Sequence, residues 1–157
     1  NGGGIDGTVE GGIPVEKIIL RGRGVLPGIV EGTALVCPKG ITGWGGIDPK
    51  TGEIQDWDNP NKGRTIQNTI LVMPGSKGSN GWSCYFGAAR AAGCAPKGWL
   101  FSAIDSSAAV ASAVMQIPTI VDFDKDEDPC SRIENGDYVR MDGTTGVVEV
   151  TKSSQRQ

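Results

Sequence analysis

A chain of 157 residues, 38% hydrophobic and 21% charged, has the composition of one globular domain, long enough to bury roughly two-thirds of its unfolded surface. A formal charge of −3 with no basic patch among aromatics excludes a nucleic-acid footprint, and no apolar run reaches the ~20 residues that span a membrane. Histidine is absent, which excludes Ser-His-Asp and Cys-His catalysis and phosphohistidine chemistry within this chain.

The first twelve residues are glycine-rich and polar, and we expect a flexible arm over 1–15. The chain opens on Asn1 rather than a methionine, so its natural start is expected upstream. Residues 17–23 read as a strand, Pro27-Gly28 as a turn and 29–37 as a second strand. Residues 38–63 form a long irregular region in which Trp44 and Trp57 are expected to pack on something, such as a partner. From residue 65 the pattern turns regular. It predicts a strand over 69–73, a helix over 82–92 with Gly93 at its C-cap, a strand over 99–104, a helix capped by Asp105 or Ser106, and a strand over 118–123. Apolar strands joined by helices imply a parallel βαβαβ centre, and a hairpin over 138–150 closes a single domain of 16–152 before a polar tail, 153–157. The class is α/β, with antiparallel hairpins flanking the parallel centre. Cys37, Cys84, Cys94 and Cys130 lack C-x-x-C spacing. With no histidine they predict reduced thiols in a cytoplasmic protein and no metal site of the chain's own.

Gly75-Ser76-Lys77-Gly78-Ser79-Asn80 connects an apolar strand to a helix start, where free N–H groups and the positive end of the helix dipole converge. Only two residues separate Gly75 from Gly78, so the phosphate-loop spacing of nucleotide hydrolases is missing. A tight turn remains an alternative to a loop that binds an anion or carries a serine for chemistry. Without histidine, a serine acts as a base only if its alkoxide is stabilised by N–H groups, by Lys77 or by a partner's metal. Ser79 is best placed, with Ser76 and Ser83 as alternatives. In Trp44-Gly45-Gly46-Ile47-Asp48-Pro49 the carboxylate of Asp48 would orient a substrate group or merely cap its turn. The acidic run 122–128 lacks the hinge glycine and terminal glutamate of a calcium loop and reads as a solvated face.

Three stretches in order, Arg23-Gly24-Val25-Leu26-Pro27-Gly28, Trp44 through Gly52, and Pro74 through Ser79, resemble the small subunit of the aconitase X family. The resemblance spans roughly residues 20–143. It implies a swivelling β/β/α domain and a large partner subunit that carries an iron–sulfur cluster on its own cysteines. It also implies a dehydratase, acting on cis-3-hydroxy-L-proline in one branch and on mevalonate 5-phosphate in the archaeal branch. In aconitase-like enzymes a Gly-Ser-Ser-Arg-type loop supplies the serine that abstracts the substrate proton. Gly78-Ser79 falls on that Gly-Ser, which gives Ser79 the role of base, with Gly75, Ser76, Lys77, Gly78, Asn80 and Asp48 expected to bind substrate. Lys77 stands where relatives have arginine, and Asn80-Gly81-Trp82 replaces a loop richer in hydroxyls. Both departures favour cis-3-hydroxy-L-proline over the phosphorylated substrate. A non-catalytic β/α module that packs on a partner is the competing class.

Overall fold

The computed structural model describes residues 3–10, 13–76 and 82–153, with 3–10 and 13–15 as backbone only. In chain order the elements are β1 (Gly3–Glu10), β2 (Ile13–Arg21), β3 (Arg23–Leu26), β4 (Ile29–Val36), β5 (Ile70–Met73), α1 (Trp82–Ala91), β6 (Gly98–Phe101), α2 (Ser106–Met115) and β7 (Thr119–Val121). A 3₁₀ turn (Lys125–Glu127), α3 (Pro129–Arg132), β8 (Tyr138–Asp142) and β9 (Val147–Thr151) complete the described chain.

Continuous apolar runs are what a strand covered on both faces requires. Every residue of β5, β6 and β7 is buried, and these strands pair in parallel with β4 through Val36↔Val72, Val72↔Leu100 and Leu100↔Ile120. Because side chains alternate along a strand, the centre feeds two cores. Ile70, Val72, Leu100 and Ile120 join Leu20, Val139, Met141, Val148 and Val150 on one face. Leu71, Met73, Trp99, Phe101 and Val121 pack on the other against Trp82, Phe86 and Ala89 of α1 and Ala108, Ala111 and Met115 of α2. The spacings 82/86/89 and 108/111/115 are one face of a 3.6-residue helix. Trp82, Phe86, Trp99 and Phe101 stack with ring centroids between 4.9 and 5.8 Å.

The strand order is β1-β2-β9-β8-β4-β5-β6-β7-β3. Gly22 alone separates β2 from β3, yet β2 pairs with β9 and β3 with β7, so β3 at one end of the order starts beside β2 near the other and the sheet curls back on itself. The expected α/β class with a parallel centre and terminal hairpins holds, but the first hairpin is β1–β2. Within the stretch 1–15 read as an arm, Gly3–Glu10 forms β1, where Ile5, Thr8 and Val9 are β-formers, and β1 pairs antiparallel with β2. Residues 17–23 and 29–37 do not pair with each other across Pro27-Gly28. The first divides at Gly22, and β4 pairs with β8 and β5. The strands read over 99–104 and 118–123 end earlier, at Phe101 and Val121, the latter followed by Asp122 in the left-handed region at φ 58°.

The seam closes through glycines. A Cβ on Gly143 would collide with the carbonyl oxygen of Leu26, and one on Gly24 with that of Gly143. Backbone obstacles cannot yield as side chains do. Gly143→Ala is expected to destabilise the fold by about 1–3 kcal/mol, read as a lower melting temperature.

Residues 37–69 pack in a way the two tryptophans did not foretell. Ile41, Ile47, Ile54 and Ile66 are buried against α1, whereas Trp44 and Trp57 stay 66% and 87% exposed. Asn61 pins the segment by donating to the Val36 carbonyl at 2.6 Å and accepting from Asn135 at 2.7 Å.

Candidate active site

The connections leaving the carboxyl ends of β5, β6 and β7 are tied side by side, at the edge where parallel α/β sheets bind ligands. The N–H groups of Ser102 and Ala103 donate to the Met73 and Pro74 carbonyls at 3.0 and 3.2 Å, and Phe123 N–H donates to Ser102 at 3.3 Å. Ile104 N–H donates to Oδ1 of Asp122 at 3.2 Å.

Gly75-Ser76 lies on the carboxylate of Asp105. Ser76 N–H donates to Oδ2 at 2.8 Å, and the Ser76 hydroxyl lies 2.9 Å from both carboxylate oxygens. Asp105 is also the N-cap of α2, its Oδ1 accepting from Ala108 N–H at 2.8 Å. Burial pushes its carboxyl up, but the N–H groups of Ala108, Ser76 and Ser107 and the Ser76 hydroxyl outweigh that and hold it below the usual carboxylate range. A Cβ on Gly75 would come within 2.9 Å of Oδ2, so the close approach needs glycine.

Helix α1 begins on a buried anchor. The Trp82 indole is enclosed and donates to the Ile41 carbonyl at 2.6 Å, while Tyr85 meets exposed Trp44 edge-on at 5.2 Å between centroids. The motif around Trp44 is thus brought against the helix that follows the glycine loop. Between the first turns of α1 and α2 lies an open cavity of about 230 Å³ lined by Trp82, Ser83, Ser106, Ser107 and Val110.

Of the expected site residues, Gly75 and Ser76 sit at this edge, and Ser83 lines the cavity. Lys77, Gly78, Ser79 and Asn80 lie outside the described residues. Asp48 closes its own turn: its Oδ1 accepts from Lys50 N–H at 2.9 Å, and its carbonyl accepts from Thr51 and Gly52 N–H groups. That is the capping alternative left open from sequence. Asp105 could be read as a helix cap, but its hold on Ser76, 29 residues earlier, leaves no local signature. Ser106 and Ser107 were missed as cavity residues for the same reason.

The four cysteines do not fit an iron–sulfur cluster. Cys37 and Cys94 are buried, Cys84 is exposed, and burial pushes the Cys130 thiol up to about 11, far from the thiolate a metal requires. Among the described residues no group of three His, Cys, Asp or Glu side chains could hold a metal ion.

The aconitase X swivel domain family model matches residues 19–150. The phosphomevalonate dehydratase small subunit of Pyrococcus abyssi is 36% identical over 83% of this chain and 97% of its own length. That of Pyrococcus furiosus is 34% identical over 83% and 94%. A crystal structure of Thermococcus kodakaraensis aconitase X in its holo-form superposes with a TM-score of 0.78 at 30% identity, covering 85% of this chain and 98% of that one. The expected swivelling β/β/α fold and hydro-lyase class agree with these matches. The chain belongs to the aconitase X swivel-domain family.

Proposed function

We propose that the chain is the small subunit of an aconitase X-type dehydratase acting on mevalonate 5-phosphate, with Ser79 as the base that takes the substrate proton. The observation that carries the choice of substrate is the cavity between the first turns of α1 and α2, lined by Ser83, Ser106 and Ser107. Hydroxyl-bearing residues at a helix start suit a phosphate, and the start of α1 adds the positive end of its dipole. The relatives' names point the same way. Trp82 brings no hydroxyl of its own, as the sequence implied, but Ser83, Ser106 and Ser107 line the cavity beside it.

Lys77 favours a second reading. A lysine is a point charge rather than a bidentate fork, which suits the single carboxylate of cis-3-hydroxy-L-proline. In either case the iron–sulfur cluster belongs to the large partner subunit. The exposed Trp44 and Trp57 support a partner's covering part of the chain. All four cysteines are unpaired, which supports action in the reducing cytoplasm; among the described residues no helix is long and apolar enough to cross a membrane.

The test is turnover of both substrates by the chain reconstituted with its large subunit. Mevalonate 5-phosphate is expected to be dehydrated and cis-3-hydroxy-L-proline not. The reverse result selects the second reading, and no turnover of either by a cluster-loaded complex overturns both.

A further inference from the structure

We propose that Asp105 is a positioning residue: it fixes the Gly75-Ser76 turn, and with it the start of the loop carrying Ser79, while capping α2. This rests on the reading of Ser79 as the base. Besides the Ser107 N–H of the cap, this carboxylate serves the Ser76 N–H, the Ser76 hydroxyl and the Ala108 N–H. Capping a helix uses only the last of these. The fit on the Ser76 side is also close, because at Gly75 any side chain would run into Oδ2.

Asp105 is itself held. Its neighbour Ile104 donates to Oδ1 of Asp122, whose Oδ2 accepts from Arg23 Nε at 3.1 Å and Nη2 at 2.5 Å. Asp122 keeps a left-handed backbone, at φ 58°, to do this. An Arg23–Asp122–Ile104 chain thus runs from β3 to the residue beside the clamp. Ser76 is an anchor in this arrangement rather than a base, since an alkoxide there would face an ionised carboxylate at 2.9 Å.

Asp105→Asn separates clamp from cap. Asparagine and aspartate cap helices about equally well. The amide, however, keeps a single acceptor oxygen and turns an NH₂ toward the donors of Ser76. In the full chain the melting temperature is expected to stay near wild type while Ser76 amide exchange quickens by about tenfold or more. In the reconstituted enzyme kcat is expected to fall by about tenfold or more with KM unchanged. Ser76→Ala, which leaves the cap intact, is expected to lower kcat in the same direction. Unchanged Ser76 exchange or unchanged kcat in Asp105→Asn overturns the proposal. Ser79→Ala tells the two readings apart. Full activity there overturns the base assignment and the catalytic half of this proposal together. Loss there beside full activity in Asp105→Asn overturns this proposal alone.

Discussion

Ser79→Ala is expected to lower kcat of the reconstituted two-subunit enzyme by about 10²–10⁴-fold, the usual contribution of a general base, while KM and the melting temperature stay near wild type. Three serines compete for the role. The Ser76 hydroxyl is engaged with the Asp105 carboxylate, an acceptor that would repel an alkoxide. Ser83 lies within the first turn of α1 and lines the cavity, placed to donate to an anion. Ser79 remains, between Lys77 and the helix start in sequence, where a cation and free N–H groups favour the ionised hydroxyl. Single-turnover rates on the assembled enzyme measure the step directly. Wild-type rates in the variant would return the role to Ser83 or to the partner subunit.

The largest stability effect is expected at Asp137, whose side chain is 0% exposed. Its carboxylate accepts from Lys152 Nζ at 2.6 Å, Glu134 N–H at 2.8 Å and Ser153 N–H at 2.9 Å, binding the start of β8 to the end of β9. Asp137→Ala strands the Glu134 and Ser153 N–H groups and takes the buried partner from the 11% exposed Lys152 ammonium, which keeps only Glu134 at 3.3 Å and the Arg132 carbonyl at 2.9 Å. Breaking a buried pair in this way costs about 3–5 kcal/mol, a fall in melting temperature on the order of 10 °C for a chain of this size. Adding Lys152→Met should recover part of the loss. Burial raises the Asp137 carboxyl pKa, but Lys152 and the Glu134 and Ser153 N–H groups outweigh it, leaving it below the unfolded value. The pair's stabilisation is therefore complete above the ordinary aspartate range of about 4 and drains away as pH falls below it. Melting curves from pH 7 downward should show wild type losing more stability than Asp137→Ala, and parallel curves would reject the assignment.

Periodicity made the centre legible. β5, α1, β6, α2 and β7 arise where continuous apolar runs alternate with helical spacing, and Asp105 and Gly93 act as the punctuation that local chemistry predicts. The partners of β2, β3 and β4 were not legible. A strand's sequence shows which face is apolar but not which of several distant strands completes it, and Gly22 gave no sign that pairing would switch there. In residues 37–69 Ile41, Ile47, Ile54 and Ile66 joined the core that holds α1 while Trp44 and Trp57 stayed out, a choice that hydrophobicity alone does not make. At the site, the loop and its serines could be found from sequence because glycines and a strand end mark it. The Asp105 clamp could not, because it joins two loops that only the finished sheet brings together.

The pairing of β2 with β9 also sets an order of events for a chain emerging from the ribosome. Ile18 meets Val150 and Leu20 meets Val148, so the curl of the sheet cannot be sealed until the last strand has been released. The βαβαβ centre, made of near neighbours in sequence, can assemble first, leaving Ile18 and Leu20 without their cover. Contacts this distant close slowly. Until β9 is released, the apolar side chains of Ile18 and Leu20 lack the cover that Val150 and Val148 give them, and uncovered apolar surface of this kind favours aggregation.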